Sequence, residues 1–307
     1  MKKTGLIIVI IICLIVFLSS LTAGILLTFR TIGWSALMDE SNLQQRIERI
    51  LNDFQLEGFM HNKRERFEID EKRSFDLAGI KTVKITAVSE NVLLTASGDQ
   101  LEASLSGSYS SFGKKIEWIT EKQGDSLVIY IDYPIFGLFS SQLQTRVQIP
   151  ATFTGEVLVN SVSGDCQLAG PGDCDWSLFK LKAVSGDLSI EQAEMARITC
   201  STVSGKISIG ETTAQIDGDT VSGNIDIKWR AFAESSLKTV SGKIELKLPA
   251  TSACKITYTT VSGNFSNKDL SIQVIEQSKK GFIGSLNNGQ QKLTVGSVSG
   301  NLKMNGF

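Results

Sequence analysis

The sequence predicts an all-β chain: a β-solenoid or β-roll of about eight coils of roughly 19 residues, behind an irregular β-rich cap. Three observations predict it. The tripeptide Val-Ser-Gly begins at residues 162, 184, 203, 221, 240, 261 and 298, in steps of 22, 19, 18, 19, 21 and 37. Each copy is followed by a polar residue, with the next residues of the apolar pattern two and four places past the glycine. Glycine is common (27) and proline scarce (4) in 307 residues, which suits strands joined by tight turns better than a disordered chain.

From the N-terminus, the first element is apolar. No residue between Lys3 and Arg30 is charged. As a helix this stretch would measure roughly 39 Å at about 1.5 Å per residue, enough to cross a hydrocarbon core of about 30 Å with tilt. The reading is a cytoplasmic tail at 1–4 and a transmembrane helix at 5–29. Lys2 and Lys3 lie on its short side, so the positive-inside rule places the N-terminus in the cytoplasm and the rest outside. A cleaved signal peptide is the alternative. The apolar run continues through 25–29, past the small residues at 22–24, and favours an uncleaved anchor. Residues 34–58 read as an amphipathic juxtamembrane helix, with Leu43, Ile47, Ile50, Leu51 and Phe54 at helical spacing. Self-association, lying on the membrane surface and packing on the next domain all fit that stripe. Residues 59–74 form a charged connector, turning into an edge strand near Phe67 and Ile69.

Residues 75–150 alternate apolar and polar without the strict repeat and read as the cap; 151–307 read as the solenoid. In the repeat, one column lies five residues before the valine: Val157, Phe179, Ile198, Ile216, Ser235, Ile256 and Leu293. A second lies three before it: Val159, Leu181, Cys200, Gly218, Leu237, Tyr258 and Val295. The residue just before the valine is always small. After the glycine the inward pairs are Cys166 and Leu168, Leu188 and Ile190, Ile207 and Ile209, Ile225 and Ile227, Ile244 and Leu246, Phe265 and Asn267, Leu302 and Met304. Inward positions are odd offsets before the motif and even ones after it. A straight strand alternates without interruption, so the chain turns at Ser-Gly. Each coil is strand, corner, strand, return loop, and the glycine is expected to supply a positive φ at the corner. The step of 37 reads as two periods, one coil having lost its signature and gained a loop.

Chemistry at the corner is excluded by what is missing. The pairs Ser163-Gly164, Ser185-Gly186, Ser204-Gly205, Ser222-Gly223, Ser241-Gly242, Ser262-Gly263 and Ser299-Gly300 form a structural corner. A nucleophilic serine needs a base. The single histidine, His61, precedes the β region, and no Gly-x-Ser-x-Gly elbow surrounds any copy. Stacked hydroxyls hydrogen-bonding along the corner are the expected role. A calcium ladder would need an oxygen ligand in each coil; Asp165 and Asp187 qualify, but Lys206 and Lys243 interrupt the column. No catalytic residue, cofactor or metal site is therefore assigned. Cys166, Cys174, Cys200 and Cys254 match no zinc spacing and read as buried thiols, with Cys166 and Cys174 alone near enough in sequence for a local bridge. Past Arg30 the balance is 29 basic to 32 acidic residues with no basic run on the repeats, so nucleic acid is not a partner.

Two apolar stretches break the pattern of polar loops. In "YPIFGLFSS", residues 133–141, Ile135, Phe136, Leu138 and Phe139 either fold over an open end of the core or form a tip that touches a partner or membrane. Trp229 and Phe232 form a weaker second candidate in a return loop.

With the apolar N-terminal segment, the entry "SFDLAGIKTVKITAVSENVLL" and the sevenfold Val-Ser-Gly-Asp/Asn/Lys, the sequence resembles the bacterial putative-adhesin family. This is a domain of unknown function found in membrane-anchored envelope proteins, including LiaG-like proteins of Gram-positive envelope-stress operons. The resemblance covers about 67–307 and implies a β-solenoid ectodomain outside a bacterial cell membrane. It supplies no catalytic residues. The function expected is a non-enzymatic, adhesin-like or envelope-stress accessory module that binds wall polymer, a sister membrane protein or another copy of itself. The alternative is a scaffold resembling bactofilins, its coils stacking end to end, because Phe307 follows the last corner closely and an uncapped coil would pair. An envelope hydrolase is disfavoured by the missing histidines and acid pairs.

Overall fold

The computed structural model describes residues 64–111, 115–133, 140–170 and 173–307. The segments read as tail, transmembrane helix and amphipathic helix lie outside the described residues, as does 134–139. Among the described residues every regular element is a strand, and no helix is long and apolar enough to cross a membrane.

Strand alternation dictates the first group: β1 (Glu65–Phe75), β2 (Thr82–Ala87), β3 (Asn91–Ala96), β4 (Leu101–Ser111), β5 (Glu117–Gln123), β6 (Ser126–Asp132) and β7 (Ser140–Ile149). The repeats supply β8 (Glu156–Ser161), β9 (Cys166–Ala169), β10 (Leu178–Ala183), β11 (Leu188–Ala193), β12 (Arg197–Thr202), β13 (Ile207–Thr212), β14 (Gln215–Thr220), β15 (Ile225–Trp229), β16 (Ser235–Thr239) and β17 (Ile244–Leu248). The chain ends with β18 (Cys254–Thr259), β19 (Phe265–Lys268), β20 (Ile272–Ser278), β21 (Gly281–Leu286), β22 (Gln291–Ser297) and β23 (Leu302–Gly306).

These strands build two facing sheets. One runs β1-β4-β7-β3-β9-β11-β13-β15-β17-β23-β19 and the other β20-β21-β18-β22-β16-β14-β12-β10-β8-β2-β6-β5. Each repeat sends one strand to each sheet, and successive repeats pair in parallel. Phe179 lies between Val157 and Ile198, and Leu188 between Cys166 and Ile207. Parallel pairing in register stacks like on like, so the sequence columns become core columns. All of their large apolar members are buried except at the end turn, where Phe265 is half-buried and Asn267 exposed. Burial of each such Leu or Ile side chain contributes about 1.5–3 kcal/mol. The two odd members are accommodated. The Ser235 hydroxyl donates to the Ala233 carbonyl (2.8 Å) and accepts from the Ile216 N–H (3.1 Å). The side-chain space of Gly218 is filled by Leu237.

The wall does not begin at 151. β2 turns into β3 through Val88-Ser89-Glu90, and both strands pair with the first repeat, β8 and β9. β6 and β7 add a further turn beyond them. The step of 37 is also not a lost coil. It holds the antiparallel hairpin β20–β21, which extends the second sheet past β18. The chain then doubles back, so that β22 inserts between β16 and β18, and β23 between β17 and β19. The last corner in sequence is thus the second to last in space, and the final strand is not an uncapped edge.

Among the described residues the edge strands are β1, β5, β19 and β20. Seven of the eleven residues of β1 are charged, β19 has four residues, and β20 carries a bulge between Val274 and Glu276. Charge, brevity and bulges are the features that discourage edge-to-edge pairing. At the β1 end, Arg73 bridges the sheets: its guanidinium lies over the Trp118 ring (4.7 Å) and donates to the Thr120 hydroxyl (2.8 Å).

Candidate functional site: the corner ridge

Each Val-Ser-Gly turn carries the chain from one sheet to the other. In space the corners follow the order of Glu90, Gly164, Gly186, Gly205, Gly223, Gly242, Gly300 and Gly263, since a Cβ on each glycine would overlap the carbonyl oxygen of the one before. This corrects the expectation of a positive φ: none of these glycines has one. Glycine is required because successive corners stack backbone against backbone with no room for a side chain.

The serines hold that stack together. The N–H of Ser163, Ser185, Ser204, Ser222, Ser241, Ser299 and Ser262 donates to the valine carbonyl of the preceding corner at 2.8–3.0 Å. In all but Ser241 the hydroxyl is also seen donating to that carbonyl, at 3.0–3.4 Å. The hydroxyls therefore bond to backbone carbonyls, not to one another. In five of the eight corners the small residue before the valine closes the turn from inside. Thr202, Thr220 and Thr260 accept the glycine N–H three residues on (2.8–3.1 Å), whereas Ser161 and Ser297 donate to the glycine carbonyl (2.7 and 2.8 Å).

The polar residue after the glycine has a role that sequence spacing did not show. Asn91, Asp165, Asp187, Asn224 and Asn301 each accept, through a side-chain oxygen, the backbone N–H of the equivalent residue one corner on, at 2.7–3.0 Å. The Asp165 and Asp187 carboxylates serve the backbone here. A lysine has no acceptor, so the ladder skips after Lys206 and Lys243.

With most of these hydroxyl and Asx oxygens bonded to backbone, and only the Thr239 hydroxyl buried without a partner among the corner residues, the valine is left outside. Val88, Val162, Val184, Val240, Val298 and Val261 are 39–68 % exposed, and Val203 and Val221 are half-buried. Eight valines at a spacing of about 4.8 Å make an apolar ridge roughly 34 Å long.

At one end of the ladder, among the described residues, stands Glu90, where the other corners have glycine. Its buried carboxylate accepts the N–H groups of Val88 and Ser89 (3.0 and 3.1 Å) and the Tyr133 hydroxyl (2.6 Å). Burial, and then the negative charge of Glu90, push Tyr133 well above the ordinary tyrosine range.

The remaining candidates fall elsewhere. Ile135, Phe136, Leu138 and Phe139 lie outside the described residues, between β6 and β7 in sequence, where the other turns carry their corners. Trp229 and Phe232 are not a surface patch: both are buried, edge to face at 5.5 Å, within the core. Cys166, Cys174, Cys200 and Cys254 are free and buried, so no Cys166–Cys174 bridge forms. Burial pushes the thiols of Cys166 and Cys200 up to about 12 and those of Cys174 and Cys254 up to about 11. A shallow groove of about 230 Å³ on the first sheet is lined by Lys72, Thr95, Glu102 and Arg146.

Two sheets, parallel through the repeats and antiparallel toward both ends, stacked from one recurring corner around a filled core, define a two-sheet repeat wall of the solenoid class. Residues 152–305 match the Toastrack DUF4097 family, a domain of unknown function, and the chain belongs to that family. No curated protein matches it. Similar solved structures include a putative adhesin from Bacteroides fragilis NCTC 9343, at 14% identity and TM-score 0.48, over 77% of this chain and 97% of that one. A putative adhesin from Parabacteroides distasonis ATCC 8503 follows at 12% and 0.43, over 80% and 98%. A putative lipid binding protein from the same organism stands at 16% and 0.39, over 78% and 96%.

Proposed function

We propose that this protein is a non-enzymatic, single-pass membrane protein of the bacterial cell envelope. Its N-terminus is cytoplasmic, and its extracytoplasmic β-wall acts as a binding module, adhesin-like or accessory to envelope stress. The observation that carries this reading is the use of the repeated polar groups. The corner hydroxyls and side-chain oxygens described above hydrogen-bond backbone, and the recurring outward group is a valine. Such a surface suits an extended partner better than a reacting small molecule. The groove of about 230 Å³ is below the roughly 300–1,000 Å³ of ordinary ligand sites. The uncharged stretch between Lys3 and Arg30 supports the anchor. The partner is a protein or a wall polymer. Ile135, Phe136, Leu138 and Phe139, placed in sequence where a polar corner would fall, are the proposed contact.

Crosslinking of the full chain in intact cells, followed by pull-down, tests the reading. Wild type is expected to retain a partner that the Phe136→Ser/Phe139→Ser double variant loses. Equal capture by both chains removes the apolar contact from the proposal. Turnover of a wall substrate by the purified chain would remove the non-enzymatic reading altogether.

A further inference from the structure

We propose that the valine ridge is a self-association surface on which two copies of this chain pair corner to corner, antiparallel. The two-fold axis would cross the ridge between the Val203 and Val221 corners. The inference does not depend on what else the module binds.

Symmetry restricts how two such ridges can meet. Across the ridge, each corner presents valine, serine and then the polar residue after the glycine. Two identical strips placed face to face and parallel reverse this lateral order, setting valines against charged residues. Antiparallel strips keep it, so valine meets valine and the polar column meets itself.

Charge then selects the register. In spatial order the polar column reads Asn91, Asp165, Asp187, Lys206, Asn224, Lys243, Asn301 and Asn264. With full overlap, Asp187 of each copy meets Lys243 of the other. Asp165 meets Asn301, Lys206 meets Asn224, and Asn91 meets Asn264, so no like charges face. A slip of one corner in one direction sets Lys206 against its own copy, and in the other direction sets it against Lys243. Asp187 and Lys243 are both exposed, and Lys243 also pairs with Glu245 of its own repeat. A slip of two corners also faces no like charges, in one direction setting Asp187 against Lys206, but covers only six valines, so full overlap is the self-complementary register that buries all eight.

A strip one valine wide covers less than the roughly 800 Å² per partner of a standard interface, so the pairing is weak in free solution. Confinement in one membrane raises the effective concentration. That strengthening rests on the proposed anchor, and membrane fractionation tests the anchor separately.

The test uses the full chain in intact cells with a short thiol crosslinker and wild type as the blank. The register places Val162 opposite Val298 of the second copy, and each about 24 Å from its own equivalent. Val162→Cys and Val298→Cys chains expressed together are expected to give a crosslinked dimer, with either alone giving only the wild-type background. Lys243→Asp should lower that dimer about fivefold, and adding Asp187→Lys should restore it. Both substitutions use residue types that other corners already hold at this position. Equal crosslinking by Val162→Cys alone, a mixed pair no better than wild type, or a charge exchange without restoration would each overturn the proposal.

Discussion

A methyl group added at Gly223 would overlap the Gly205 carbonyl oxygen, and neither backbone can move without parting two turns of the wall. Gly223→Ala is therefore expected to cost about 1–3 kcal/mol as overpacking. Gly124 offers a control of a different kind: its φ is +63°, but nothing lies within 4 Å of an added Cβ. Gly124→Ala should cost about 1–2 kcal/mol through conformation alone and leave corner stacking intact. Thermal unfolding, with hydrogen exchange at Ser222 and Ser241, separates the two; unchanged exchange in Gly223→Ala would contradict the stacking argument. Charge has a smaller part. The Glu245 carboxylate is held down to about 2, first by its hydrogen bond from Lys243 and further by Lys303. A depressed carboxylate contributes stability that is present above its ordinary value near 4.5 and lost as pH falls toward 2. Because the pair is open to solvent on the Lys243 side, the effect is on the order of 1 kcal/mol or less. Glu245→Gln should flatten that part of the stability curve between pH 5 and about 2, as measured by urea unfolding. The four described thiols, raised and buried, should resist a maleimide in the folded chain and all react on unfolding.

β23 shows what an element's neighbours decide. Read as the last coil, it would be an edge whose core residues pack on one side only. It lies instead between β17 and β19, with Leu302 and Met304 fully buried. Leu302→Ala should therefore cost about 2–5 kcal/mol, as in any interior strand. Phe265→Ala, in the true end strand β19 and half-buried, should cost clearly less. Urea midpoints for the two variants check this, and the reverse ranking would exclude the inserted arrangement. The inward columns of β8 to β17 were legible because parallel in-register stacking turns sequence periodicity directly into burial. The turn at 88–90 was harder to see, since Glu90 replaces the glycine that marked the others. The signal was present in "TAVSENVLL", which keeps the small residue, valine and serine before the substituted position.

Across the whole molecule, stability follows distance from the edges. Hydrogen exchange should be slowest from β8 to β17, where every strand has two neighbours, and fastest in β1, β5, β19 and β20. Uniform protection along the wall would contradict this. The sequence by itself determined the all-β class, the period, which side chains face inward, and the place where the chain turns. Those properties are local, set by strand alternation and its change of phase at Ser-Gly. Only the tertiary structure decided the order in which the turns stack, because pairing partners far apart in sequence leave no periodic trace. The same stacking decided why glycine is required: the pressure comes from the preceding corner's carbonyl, not from the residue's own φ. It also left the valines outside. Where the serine and Asx side chains of the corner bond to the backbone of the neighbouring corner, the valine, with no hydrogen bond to make, is the apolar group left facing solvent.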